Sequence, residues 1–147
     1  MQERAILLVE DDPKDLELTL TAVRMAGSSQ RVNVTSNGEE ALDYLYRRGK
    51  FGSRTEGNPA LVLLDLKLPL VSGFEVLRAI KSDASLQPIP VVMLSSSQEE
   101  ADIDGSYRLG ANGYVVKPLD FSDYVASVTS ICSYWIAFNQ PPSVCTA

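Results

Sequence analysis

Apolar residues along this chain fall into two kinds of run that take turns. Short segments rich in Val, Ile and Leu lie at 4–10, 31–36, 60–65, 89–95 and 112–117, with longer stretches of helical spacing between them. That alternation predicts βαβ units built around a parallel sheet. Three of the short runs, "AILLV", "ALVLLD" and "IPVVML", are almost continuously apolar, as strands covered on both faces are. "RVNVTS" alternates polar and apolar positions instead, which puts it at a margin of the sheet.

The helical stretches carry their own start and stop signals. Asp12-Pro13 offers an N-cap followed by a first-turn proline, and Leu16, Leu20 and Val23 then share a face. Asn37 opens a second helix with Glu40 at the capping-box position, and Gly49 closes it. Ser72 and Glu75 repeat the arrangement for a third, with Leu77 and Ile80 directed inward. Ser97 and Glu100 begin a fourth, "QEEADIDGSYRLG", which is poor in apolar residues and contains Gly105. Weak anchoring of this kind suits an element that shifts.

A fifth helix is predicted over 121–138, with Phe121, Tyr124, Val128, Cys132 and Trp135 at helical spacing. At about 1.5 Å per residue it spans roughly 27 Å, against about 20 Å for a six-residue strand. Its last turn, with Trp135, Ile136 and Phe138, should either overhang the core as a contact surface or fold against a neighbouring loop. One domain over 1–138 accounts for these elements, and the tail at 139–147, "NQPPSVCTA", is expected to be disordered. The connection at 49–59, "GKFGSRTEGNP", is rich in turn formers and longer than the usual median of about 4–6 residues.

The charges that interrupt the apolar runs carry the chemical signal. Asp65 ends "LVLLDLKLP", Glu10-Asp11-Asp12 closes "AILLVEDD", and Lys117 closes "GYVVKP". Charged side chains are rarely buried without a partner or a metal. In a doubly wound sheet, ligands bind beyond the carboxyl ends of the strands, where strand order reverses. An order of 2-1-3-4-5 brings Glu10, Asp11, Asp65, Ser95 and Lys117 to such ends. Two strands ending in acid and one in a cation describe a magnesium-dependent site for a phosphoryl group. Mg2+ takes about six oxygen ligands; Asp11 and Asp65 can supply direct carboxylates, and Glu10 can hold a coordinated water.

Composition narrows the alternatives. Net charge is -6, with 13 Lys plus Arg against 19 Asp plus Glu, which argues against a nucleic-acid surface built from clustered basic residues. There is no histidine, and the two cysteines are Cys132, expected inside a helix, and Cys145 in the tail. His-activated nucleophiles and the usual zinc ligands are therefore absent. No apolar run approaches the roughly 20 residues of a membrane span, and the N-terminus lacks a signal-peptide layout. A cytoplasmic protein is expected.

Over roughly residues 4–130 the chain resembles the receiver domain of two-component response regulators, through "ILLVEDD", "LVLLDLKLP" followed by Gly73, "PVVMLSS" and "GANGYVVKP". The resemblance implies a flavodoxin-like α/β fold: a doubly wound, five-stranded parallel sheet of order 2-1-3-4-5 with five helices. It implies that Asp65 is the phosphoacceptor for a sensor histidine kinase. Glu10 and Asp11 would form the acidic pocket, and Mg2+ would be held by Asp11, Asp65 and the Lys67 backbone carbonyl. Ser95 would turn its hydroxyl toward the phosphoryl group, the Tyr114 rotamer would report the state, and Lys117 would bond the phosphoryl oxygens. A cis Lys117-Pro118 bond is expected as well.

One departure sharpens the reading. Lys67, two residues past Asp65, stands where an aspartyl-nucleophile phosphatase needs a second acid, so a phosphorylatable switch is favoured over a turnover enzyme. Its ammonium could also crowd an attacking water and slow dephosphorylation. A pure binding module would be expected to lack the acceptor or the lysine, and both are present. The 49–59 connection and the terminal "YWIAFNQPP" look similar to small standalone regulators of bacterial phytochromes. That likeness implies a light-signalling histidine kinase and a homodimer, with the fourth helix, fifth strand and fifth helix as the expected surface. The receiver resemblance at large implies kinase docking on the first helix, and transcriptional activation by this chain itself is not expected.

Overall fold

The apolar runs become five parallel strands because each is long enough to cross a core and is flanked by a capped helix. The computed structural model describes residues 5–26 and 31–142. The strands are β1 (Ile6–Val9), β2 (Val32–Thr35), β3 (Leu61–Leu64), β4 (Val91–Ser95) and β5 (Gly113–Val116). They pair in the order β2-β1-β3-β4-β5, so strand order reverses between β1 and β3, as the sequence implies. The helices are α1 (Pro13–Met25), α2 (Gly38–Tyr46), α3 (Gly73–Ser82), α4 (Glu100–Arg108) and α5 (Phe121–Cys132).

Strand residues alternate between two apolar layers, as a period of two requires. Leu7, Val9, Val62, Leu64, Val91 and Met93 face the layer of α2 and α3, among Ala41, Tyr44, Leu45, Val76, Leu77 and Ile80. Ile6, Leu8, Leu61, Leu63, Val92 and Leu94 face α1 and α5, among Ala22, Val23, Tyr124, Val128 and Ile131. Cys132 lies in this second layer, where burial pushes its thiol up to about 11 and leaves it a packing group.

The helix ends depart from expectation in informative ways. Asp12 caps α1, accepting from the Lys14 and Asp15 amides, but the buried face is Thr19, Ala22 and Val23 rather than Leu16, Leu20 and Val23. Small residues at that face let α1 close on the sheet and α5. Leu16 and Leu20 consequently line a groove with Glu17, Thr21 and Arg24. Helix α2 ends at Tyr46, with Arg47 left-handed at φ 55°, and not at Gly49. Arg47 is held there by its guanidinium, which donates to the Glu56 carbonyl at 2.9 Å.

Ser97 does not begin α4. Its hydroxyl donates to Asp102 at 2.5 Å and accepts from the Glu99 amide at 3.2 Å, leaving Glu99 as a cap with no side-chain bond. Beyond α5 the chain continues as a wider π-helical turn, Ser133–Phe138. Trp135 and Ile136 pack against the second layer, whereas Phe138 is 72% exposed. Only Phe138 of the last turn projects beyond the core, while Trp135 and Ile136 are folded onto the apolar layer rather than onto a loop. Most of the tail, 143–147, lies outside the described residues. The 49–59 connection is held by Arg54, whose guanidinium stacks 4.1 Å over Tyr44 and donates to the Tyr44, Glu56 and Gly57 carbonyls.

Gly73 fixes α3 against the end of β3. A Cβ there would fall 2.3 Å from the Asp65 carbonyl oxygen and 2.7 Å from Leu66 Cα, and the Gly73 amide donates to the Leu66 carbonyl at 2.8 Å. Both neighbours are backbone and cannot swing aside. Gly73→Ala is expected to destabilise the fold by about 1–3 kcal/mol, the cost of overpacking, read as a lower urea midpoint. An unchanged midpoint would contradict the contact.

Candidate functional site

The sheet ladder sets the site before any side chain is considered. Register pairs Val9 with Leu64 and with Thr35, and hydrogen bonding runs one residue further. The Glu10 amide donates to Thr35 at 3.1 Å, the Asp65 amide to Val9 at 3.1 Å, and the Lys117 amide to Ser95 at 2.7 Å. Glu10, Asp65 and Lys117 are therefore held by backbone just past the ends of β1, β3 and β5. Counting by twos from the strands puts all three on the α1 and α5 side, whereas Ser95 and Tyr114 fall on the opposite parity.

Oxygens of Glu10, Asp11 and Asp65 lie within 4.8 Å of one another. Glu10 is 2% exposed, while Asp11 is open to solvent. An all-oxygen set with one open carboxylate fits a hard divalent cation that keeps some of its waters. Lys67 is exposed, and its amide donates to Asp65 Oδ1 at 3.4 Å.

Lys117 is the counter-charge. Its Nζ donates to Glu10 Oε1 at 2.7 Å and to Asp15 Oδ2 at 2.9 Å, and stands 3.5 Å from Asp65 Oδ2. Burial pushes the Glu10 carboxyl up to about 7, with the Lys117 bond opposing and Asp65 adding to the rise. Burial alone would lower the Lys117 ammonium, but its bonds to Glu10 and Asp15 outweigh that and keep it protonated.

The opposite side of the site meets at Ser97. Its amide donates to Ser95 Oγ at 3.1 Å, its carbonyl accepts from the Tyr114 hydroxyl at 2.9 Å, and its own hydroxyl holds Asp102 of α4. Ser95 and Tyr114, paired by expectation, are thus joined through an intermediary that sequence reasoning took for a helix cap. One further expectation fails. No peptide bond among the described residues is cis, so Lys117-Pro118 is trans. The trans form of an X-Pro bond is intrinsically favoured, and the short link through Leu119 to the Asp120 cap does not overturn that preference.

A profile of the response regulator receiver domain matches residues 6–129. This chain belongs to that family. Among its relatives, the probable methanogenesis regulatory protein FilR2 of Methanothrix harundinacea is 41% identical over 137 residues, covering 93% of this chain and 86% of that one. The phosphorylated cyanobacterial phytochrome response regulator RcpA superposes with a TM-score of 0.89 at 39% identity, over 97% of this chain and all 100% of that one. The bacteriophytochrome response regulator RtBRR is 53% identical, with a TM-score of 0.79, covering 97% of this chain and 86% of that one. A Mn2+-bound form of response regulator Rcp1, from Synechocystis, matches with a TM-score of 0.87 and 34% identity over 95% and 99% of the two chains. Family, flavodoxin-like fold and a divalent cation site agree with the sequence reading. No described helix is long and apolar enough to cross a membrane.

Asp15 is the residue that sequence reasoning missed. It lies in the first turn of α1, and only its spacing from Thr19 and Ala22, on the buried helix face, marks it as site-facing.

The raised Glu10 carboxyl makes a signed prediction. Without a divalent cation, the folded protein keeps a proton that the unfolded chain loses near 4.5. Its contribution to stability is therefore present below pH 4.5 and lost as pH rises through about 7. Urea midpoints taken in EDTA from pH 4.5 to 8 should fall more steeply for wild type than for Glu10→Gln. Parallel curves would refute the assignment.

Proposed function

We propose that this chain is a phosphorylation-dependent signalling switch that receives its phosphoryl group on Asp65 from a sensor histidine kinase. The observation that carries the reading is one carboxylate, Asp65, sharing a 4.8 Å cluster with Glu10 and Asp11 and lying 3.5 Å from a buried ammonium. Phosphoryl transfer asks mainly for alignment and charge neutralisation, and this arrangement offers both. An Asp65 carboxylate oxygen attacks phosphorus as the bond from phosphorus to the kinase imidazole nitrogen breaks. The nitrogen keeps the electron pair and takes a proton from solvent, leaving an acyl phosphate on Asp65.

Asp11, Asp65 and the Lys67 carbonyl, with Glu10 through a coordinated water, would hold a divalent cation, whose charge would offset that of the phosphoryl oxygens. Lys117 supplies the remaining positive charge. Ser95 donates its hydroxyl to a phosphoryl oxygen, which disturbs its bond to the Ser97 amide and, through Ser97, Tyr114 and α4. The surface that changes is then α4, β5 and α5, and the exposed Phe138 beside α5 supports self-association of two copies. The groove along α1 supports kinase docking. Likeness to phytochrome regulators at 39% and 53% identity supports a light-sensing kinase as the partner.

Intact mass after incubation with acetyl phosphate and Mg2+ should show one added phosphoryl group on wild type and none on Asp65→Asn. An adduct that survives the substitution would place the acceptor elsewhere. Lys67→Ala should lose phosphate about two- to fivefold faster than wild type, the effect of a barrier lower by about 0.5–1 kcal/mol. Equal release rates in Mg2+ would reduce Lys67 to a solvated surface lysine.

A further inference from the structure

A buried ammonium has three protons to place, and Lys117, 8% exposed, places two of them on Glu10 and Asp15. Asp65, at 3.5 Å, is within ion-pair range but receives no hydrogen bond. Two of the three protons of the lysine assigned to the phosphoryl group are thus held by Glu10 and Asp15, and the third is left facing Asp65 only at the longer distance of 3.5 Å.

Asp15 does not hold it by chance. The Asp12 cap accepts from the Asp15 amide at 3.4 Å, and the Thr19 hydroxyl donates to the Asp15 carbonyl at 2.8 Å. With its proton spent there, Thr19 Oγ1 accepts from the Tyr124 hydroxyl of α5. Thr19 and Tyr124 are both buried, so the turn carrying Asp15 is braced between its own cap and α5. The two partners of Lys117 differ in what release would cost. Glu10 is 2% exposed, and stripping its counter-ion would strand a buried charge. Asp15 is 34% exposed, and water can replace the lysine there.

We propose that Asp15 is a positioning residue that draws the Lys117 ammonium away from Asp65 and thereby restrains phosphorylation until an incoming phosphoryl group competes for it. The proposal rests on Asp65 being the acceptor and Lys117 its phosphoryl partner. Asparagine keeps the shape of Asp15 and can still accept a hydrogen bond, but it removes the charge–charge attraction that holds the ammonium.

Initial rates of phosphorylation by acetyl phosphate in Mg2+ test it. Asp15→Asn should react about two- to fivefold faster than wild type, the scale of a half-exposed ion pair. Glu39→Gln, an exposed acid on α2, should match wild type. In a Lys117→Ala background the Asp15→Asn gain should vanish; a gain of the same size there would show that only negative charge near the donor had been removed, and would overturn the restraint. If Lys117→Ala accepts no phosphoryl group, the Lys117 Nζ resonance decides by 15N NMR: it should move on Asp15→Asn, and an unmoved resonance overturns the proposal. A wild-type rate, or a slower one, in Asp15→Asn does the same. Failure of wild type itself to gain mass at Asp65 would instead remove the reading beneath it.

Discussion

One ammonium group organises this molecule's functional end. Lys117 is buried where three strands finish, and three carboxylates from three different segments converge on it. Neither the lysine nor Glu10 could remain buried alone, because an unpaired charge costs several kcal/mol to desolvate. The fold must therefore bring the ends of β1, β3 and β5 and the first turn of α1 to one point, and the doubly wound order does so. Function follows from the imbalance left over: the acids outnumber the base, and a cation or a rearranged lysine is needed to settle the site.

Two halves of the site answer to different faces of the sheet. Glu10, Asp65 and Lys117 follow the parity of the layer that packs on α1 and α5, and there the charges meet. Ser95 and Tyr114 follow the other parity, beside α3 and α4, and there Ser97 joins strand, loop and helix through hydrogen bonds to Ser95, Tyr114 and Asp102. The sheet thus separates the charged cluster from the hydrogen-bonded Ser95–Ser97–Tyr114 group, and under the proposed function this would part chemistry from readout.

Much of this was legible in the residues. Continuous apolar runs marked the buried strands, and caps at Asp12, Asn37 and Ser72 marked three helix starts, because strong local chemistry there agrees with the tertiary fold. Charges ending apolar strands marked the site. What stayed hidden depends on packing between distant segments. Asp15 reads as an ordinary first-turn acid until α1 is packed against α5 and Lys117 is seen to reach it. Ser97 reads as a cap until its hydroxyl is seen to be taken by Asp102. The left-handed Arg47 runs against the glycine rule, and is stabilised by a carbonyl nine residues on.

Gly73 gives the strand that ends at Asp65 a mechanical character. With no Cβ, α3 rests directly on the backbone of Asp65 and Leu66, and its first amide is bonded to Leu66. The main chain under Asp65 is consequently stiff, whereas the loop through Ser97 leads to a helix whose only buried residue is Ser106. A load applied at Asp65 is transmitted along the path of least stiffness, as in two springs of unequal constant joined in series. Under the proposed switch the displacement would appear at α4, with α3 the fixed wall against which it is measured.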